Sequence, residues 1–170
     1  MIEILKIGLP ALLVFITAYL LIDKLLRNDE SRRNFEISKK NVSIITPIRL
    51  RAYERLMLVL ERTSPNSIVI NTIKPGMTCI ELQTQLLNNI RQEFAHNASQ
   101  QIYVSDELWA AIRATQESLI QLINGCASKM QPENDAVSLA ELIIQIFASS
   151  EQTPTETTTE LLKKEVRSLM

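Results

Sequence analysis

The chain has 170 residues, 46% of them hydrophobic, which excludes a wholly disordered protein and leaves room for one compact domain with accessory segments. It has only 3 glycines and 5% aromatic residues but is rich in Leu, Ile, Ala, Glu, Gln and Lys, which favours an all-α fold over a sandwich or barrel. The net charge of -1 divides unevenly: residues 23–62 carry 10 basic and 6 acidic residues (+4), and residues 63–170 carry 7 and 12 (-5).

An uncharged run near the N-terminus predicts a transmembrane anchor over residues 1–26. The run is IGLPALLVFITAYLLI, Ile7 to Ile22, and with its apolar neighbours it approaches the roughly 20 residues that span a bilayer. Only Lys6 precedes it, and the basic residues that follow it are Lys24, Arg27, Arg32, Arg33, Lys39 and Lys40. By the positive-inside rule, the N-terminus faces outwards and the C-terminal domain lies in the cytoplasm.

Two alternatives remain for this run. A cleaved signal peptide is also N-terminal, but only one lysine precedes the run and no A-x-A-like site comes before the charged stretch. A buried core helix would have to be hydrophobic all round, in a domain too small to surround it easily.

The charged residues 27–45 predict a juxtamembrane helical stalk, and a helical domain over 46–170 follows it. Thr46 and Pro47 read as an N-cap and first helical position, and the apolar spacing carries this helix to about Arg62. The β-branched stretch Ser67 to Ile73, SIVINTI, lies between proline turns, so we expect an extended connector or one short strand there.

Four further helices are predicted from start signals that resemble N-caps or capping boxes. These signals are Thr78 with Glu81, Ser105, Ser138 with Glu141, and Thr153 with Glu156. No internal repeat is evident. Because the apolar faces of five helices can be buried only against one another, the domain is predicted to be a small antiparallel helical bundle of about five helices.

Candidate chemistry centres on the single histidine and is weak. His96 follows Glu93 at the spacing by which one helix face binds a metal, but the second Glu-x-x-His of a di-iron bundle is missing. Cys79 and Cys126 have no CxxC spacing, so neither a zinc site nor a disulfide framework is indicated. The stretch SQQIYVSDELW is read as a corner between helices, with Ile102 to Val104 packed on the domain. No metal, cofactor or catalytic residue is predicted.

Interaction candidates are more numerous. The arginines Arg49, Arg51 and Arg55 can face phosphate groups such as lipid headgroups, or can be a solvated helix surface. Aromatic and arginine side chains dominate binding energy at interfaces, which adds Tyr53 and Trp109 to the candidates. Nucleic acid is not expected as a partner, because the distal part of the chain is acidic.

The chain resembles an uncharacterised family of small bacterial proteins that carry an N-terminal anchor and a helical domain of unknown function. The stretches that carry the resemblance are PIRLRAYERLMLVLERTSPN, ELQTQLLNNIRQEFAHNASQQIYVS and the closing LLKKEVRSLM. The resemblance implies a bacterial inner-membrane setting and no particular activity.

The residues and the resemblance together predict a membrane-anchored protein-protein interaction module, a scaffold or accessory subunit rather than an enzyme. Its expected partners are membrane lipid and another membrane-associated protein or a second copy of itself. One alternative is a membrane-bound enzyme with a shallow site around Glu93, His96, Tyr103 and Asp106. Another is a sensor of anionic lipid surfaces that uses Arg49, Arg51 and Arg55.

Overall fold

A computed structural model describes residues 15, 19, 22–24, 36, 39–40, 43–150 and 153–169. The chain divides into two compact units, Met1–Ile45 and Thr46–Met170. Each described residue of the first unit is helical.

The predicted membrane anchor is not supported. Most of residues 1–26 lie outside the described residues, and the helices that are described include none with the length and apolar character to cross a membrane. The uncharged run from Ile7 to Ile22 is itself shorter than the roughly 20 residues that a spanning helix requires. The finding contradicts the predicted N-terminal transmembrane helix and, with it, the predicted single-pass location in a bacterial inner membrane.

The second unit is helical, which confirms the all-α prediction. Its helices are α1 (46–63), α2 (Pro65–Thr72), α3 (Cys79–His96), α4 (Asp106–Ala127), α5 (Ala136–Ala148) and α6 (Pro154–Arg167), with a 3-10 helix at Ala98–Tyr103. Over the described ranges no strand forms, and the one β-type pairing is an isolated bridge between Thr78 and Asp135.

Local capping signals predicted most of the helix starts. Thr78 and Thr153 form the expected capping boxes, and the Ser105 side chain accepts a hydrogen bond from the N–H of Leu108. The box at Ser138 is wrong, because α5 begins earlier, at Ala136.

The earlier start of α5 has a clear cause. The Asp135 side chain accepts a hydrogen bond from the N–H of Val137 at 3.0 Å, and an aspartate caps a helix as well as a serine does. The Ala136 N–H donates to the carbonyl of Met77 at 3.0 Å, which fixes the residues before the helix in a paired loop. The start of the first helix also differs from the prediction, because Thr46 is helical rather than a cap.

Residues 67–72 of the stretch SIVINTI are helical, against the prediction of a connector or strand, and Ile73 is the extended residue that follows the helix. The helical residues belong to α2, where Pro65 occupies the first turn. Ile68, Val69 and Thr72 are buried while Ile70 is 69% exposed, a spacing that fits a helix and not the alternation of a strand. Packing of α2 against α3 and α5 outweighs the β-propensity of its branched side chains.

Two helix–loop–helix units, α2–α3 and α4–α5, meet through their loops. The Cys79 N–H donates to the carbonyl of Asn134 at 2.8 Å, and the Ala136 N–H donates to the carbonyl of Met77. Aligning α3 with α5 on this bridge pairs positions of equal burial, as at Leu82 with Leu139, both fully buried. The relation was not evident in the sequence because α3 and α5 share a burial pattern but few residue identities.

The core lies where α1 and α6 cover these paired units. Its most deeply buried side chains are Leu56, Leu60, Leu82, Leu86, Ile90, Leu108, Ile112, Leu139 and Ile143. Each contributes about 1.5–3 kcal/mol by its removal from water. A buried hydrogen bond of 2.8 Å between the hydroxyls of Thr115 and Thr158 joins α4 to α6.

Candidate functional site

A polar cluster joins the inner side of α1 to α6 and to the start of α4. The Tyr53 hydroxyl donates to Glu165 Oε1 at 2.7 Å and accepts from Arg49 Nη2 at 2.9 Å. The Arg49 Nε donates to the carbonyl of Tyr103 at 3.0 Å. Ser105 donates to the same carboxylate twice, from its N–H to Oε1 at 2.9 Å and from its hydroxyl to Oε2 at 2.6 Å. One carboxylate of α6 therefore holds three elements of the fold.

The electrostatics of the cluster favour an ionised Glu165 and a neutral Tyr53. Burial alone raises the pKa of Glu165, but the hydrogen bonds from Ser105 and Tyr53 and the nearby Arg49 charge outweigh it, so the pKa lies below its ordinary value. Burial raises the pKa of Tyr53, and its hydrogen bond to Glu165 raises it further. Tyr53 therefore keeps its proton and donates a hydrogen bond to the Glu165 carboxylate.

The opposite side of α1 is an exposed surface, which we call the outer face: Arg51, Glu54, Arg55, Leu58, Glu61 and Arg62. Leu58 is its apolar centre and is 50% exposed. It lines two grooves, one on each side of the helix.

The groove between α1 and α6 is apolar and has a volume of 730 Å³. We call it the apolar groove, and its lining residues are Leu50, Tyr53, Glu54, Met57, Leu58, Leu162, Lys163, Val166 and Arg167. The charged members stand at its rim, with Glu54 on the α1 side and Lys163 and Arg167 on the α6 side. A concave apolar surface with a charged rim is suited to the side chains of another protein.

The groove between α1 and α3 is polar and smaller, with a volume of 530 Å³. Arg55 and Arg62 of α1 face Glu93 and His96 of α3 across it, above the aliphatic floor of Val59. The Arg62 Nη1 lies 3.7 Å from Glu93 Oε1, an exposed ion pair of small energetic weight.

Only two of the four residues named for the enzyme alternative line the polar groove. Glu93 and His96 line the polar groove, but Tyr103 and Asp106 do not. The His96 ring is exposed, with Nδ1 3.1 Å from the carbonyl oxygen of Gln92 in its own helix. Within the described parts of the chain, no group of three His, Cys, Asp or Glu side chains is placed to hold a metal ion.

The interaction candidates fall into three environments. Arg49 and Tyr53 belong to the inner polar cluster, Arg51 and Arg55 lie on the outer face, and Trp109 is partly buried against the core. Ile102, expected to pack on the domain, is 72% exposed.

The sequence analysis did not identify three parts of this region: Leu58, the apolar residues of α6 that line the apolar groove, and Glu165 of the polar cluster. Leu162 and Val166 were visible only as apolar positions in the closing stretch LLKKEVRSLM, and their pairing with α1 is a long-range contact. The exposed leucine carried one usable signal, because Leu58 stands between charged residues on the face opposite Leu56 and Leu60.

Comparison with known proteins gives one match. Residues 1–169 match DUF7935, a family of unknown function, which agrees with the resemblance to an uncharacterised family. No curated protein and no solved structure matches the chain.

Proposed function

The chain belongs to DUF7935, a family of unknown function, and we propose that it is a helical protein-interaction module that binds through the outer face of α1 and the apolar groove. The observation that carries the proposal is the groove itself, 730 Å³ of mostly apolar surface beside a half-exposed leucine. Its role is that of a scaffold or an accessory subunit, and its activity is binding.

The polar cluster beneath the groove supports this function. Glu165 holds α6 against α1 through Tyr53 and against α4 through Ser105, and Val166 of the groove wall is the next residue along α6. A groove whose walls are fixed before binding loses less conformational entropy when a partner docks. The network therefore favours a preformed docking surface.

The energy of binding is expected to concentrate at Leu58. A leucine that is half exposed in the free protein gains burial when a partner covers it, at roughly 25 cal/mol per Å² of apolar area. The charges at the rim add specificity more than affinity, because exposed ion pairs contribute little on their own.

A site-specific photo-crosslinking experiment tests the proposal. A photoreactive amino acid replaces Leu58 or Lys163 in the full chain in its native cells, and Ile70 of α2, which is 69% exposed, is the control position. We expect discrete protein adducts from positions 58 and 163 and none from position 70. Equal labelling at all three positions, or none at any, would contradict the proposal.

A further inference from the structure

We infer that the partner is a second copy of this chain, bound so that the two α1 helices run parallel with their Leu58 side chains on either side of a two-fold axis. The inference rests on the proposed function, since it names the occupant of the same surface. The argument comes from how charge is divided across the outer face.

Acidic and basic side chains occupy opposite sides of Leu58. With about 100° per residue, Arg62 lies about 40° and Arg55 about 60° to one side of Leu58. By the same rule Glu54 lies about 40° and Glu61 about 60° to the other side. The grooves agree with this division, because both arginines line the polar groove and Glu54 lines the apolar groove.

These charges are available for an intermolecular contact. Within residues 43–150 and 153–169, the side chains of Glu54, Arg55 and Glu61 have no hydrogen bond or ion pair. Arg62 is 63% exposed and meets Glu93 only at 3.7 Å. The two rows therefore carry exposed charges of both signs, of which only Arg62 has an ion pair within the described residues, and such rows can be recognised by another molecule.

The two-fold relation decides which charges meet. When two helices are related by an axis that runs along them, the basic side of one faces the acidic side of the other. Glu54 then lies at nearly the height of Arg55 in the second copy, one residue or about 1.5 Å apart along the axis. Glu61 and Arg62 meet in the same way, and the symmetry repeats each pair.

The antiparallel arrangement is disfavoured by the same geometry. In an antiparallel dimer the two-fold axis runs perpendicular to the helices. The basic side of one α1 then faces the basic side of the other, and the acidic sides face each other. Arg55 then meets Arg62 of the second copy, and Glu54 meets Glu61. Opposing like charges disfavour this mode, so the pattern selects the parallel one.

The apolar surface completes the match. The two Leu58 side chains contact each other beside the axis. The aliphatic stem of Arg55 lies over the apolar groove of the second copy, and its guanidinium meets Glu54 at the rim. One arginine therefore covers apolar surface and forms an ion pair in the same contact.

Arg51 opposes the association. It lies about 20° from Leu58, two turns earlier on α1, so the two copies of Arg51 approach each other near the axis. This repulsion makes the dimer weak and reversible. It also provides a test, since Arg51→Leu removes a like-charge contact that only the parallel dimer contains.

Charge-reversal variants of the full chain test the inference by analytical ultracentrifugation. Glu54→Lys/Glu61→Lys makes both sides of the face basic, and Arg55→Glu/Arg62→Glu makes both acidic. We expect the wild type to dimerise, each variant alone to dissociate with a constant at least about tenfold higher, and an equimolar mixture of the two to recover a heterodimer. Matched controls, Glu117→Lys/Glu141→Lys and Arg91→Glu/Arg113→Glu, change the same charges at exposed sites away from α1 and leave the dimer unchanged.

Cysteine variants test the orientation. A mixture of Glu54→Cys and Arg55→Cys chains forms a mixed disulfide in the parallel dimer, whereas Glu54→Cys with Glu61→Cys does so in the antiparallel one. The native Cys79 and Cys126 are buried, so they do not compete. Dominant coupling of positions 54 and 61 would overturn the inference.

Other outcomes separate the inference from the proposed function. A wild type that is monomeric throughout, while position 58 crosslinks to a different protein, overturns the second copy as occupant and leaves the interaction module standing. A monomer with no adduct at position 58 removes both. Self-association that survives both charge reversals without loss also overturns the inference, because the charge rows then have no part in it.

Discussion

The inner and outer faces of α1 use charged and apolar side chains in opposite ways. On the inner face, the Tyr53 hydroxyl donates to Glu165 at 2.7 Å and accepts from Arg49 at 2.9 Å. On the outer face, Glu54 and Arg55 have no such partner in the described part of the chain. The polar groups of the inner face are bonded within the fold, so the charges of the outer face are the ones that can bind another molecule.

The largest expected change in the free energy of unfolding comes from comparing two leucines of α1 that are two residues apart. Leu56 is 1% exposed and Leu58 is 50% exposed. We expect Leu56→Ala to lower the free energy of unfolding by about 2–5 kcal/mol, because it leaves a cavity in the core. Leu58→Ala costs about 1 kcal/mol or less, since half of that side chain is already in water. Chemical denaturation measures both, and equal losses would remove the distinction between the faces.

The next effect concerns the carboxylate of the inner cluster. Glu165→Ala leaves the Tyr53 hydroxyl and the N–H and hydroxyl of Ser105 without their acceptor, so we expect a loss of about 1–3 kcal/mol in the free energy of unfolding. Glu160→Ala, at an exposed position of the same helix, is the control and changes it by less than about 0.5 kcal/mol. A loss no larger than that of the control would show that the cluster does not stabilise the fold.

A smaller change in the free energy of unfolding is expected when the pH is lowered. Because the pKa of Glu165 is lower in the folded protein than its ordinary value of 4.5, the carboxylate contributes stability above that value. This contribution is lost as the pH falls through 4.5 towards the lower folded pKa. Denaturation between pH 6 and about pH 3 should show a steeper decline for the wild type than for Glu165→Gln. Parallel curves would contradict the assigned shift.

The smallest expected effect is a tighter dimer, produced by a substitution on the outer face. Arg51→Leu should lower the dissociation constant of the dimer by a few fold, because it replaces a like-charge contact near the axis with an apolar one. Arg91→Leu, at an exposed position on α3, is the control for a general increase in nonspecific hydrophobic association. Weaker association of Arg51→Leu would place the axis elsewhere.

The sequence predicted what short-range chemistry determines. A capping box needs two residues three apart, so Thr78 and Thr153 were identified without any knowledge of the fold. The start of α5 was missed because Ser138 with Glu141 also fits a capping box, whereas the structure uses Asp135, whose loop is paired with Thr78 far away in the sequence. Similarly, α2 is helical because it packs on α3 and α5, which its own branched residues do not reveal.

The same limit applies to the candidate site. Arg49, Arg51, Tyr53 and Arg55 were grouped because they are close in sequence, yet a helix sends the first and third inward and the other two outward. The partner of Tyr53 is 112 residues away, so no local pattern identifies Glu165. The membrane anchor was predicted from the apolar run, its flanking basic residues and the family resemblance, and the described helices do not support it.

Sedimentation of the purified full chain, compared with its Leu58→Glu variant, tests the central claim most directly. Leu58 is half exposed, so the substitution leaves the fold intact, which circular dichroism verifies. We predict a reversible dimer for the wild type and a monomer for the variant at the same concentration. A wild type that stays monomeric, or a variant that dimerises equally well, would contradict the assignment of the outer face of α1 as the surface where two copies meet.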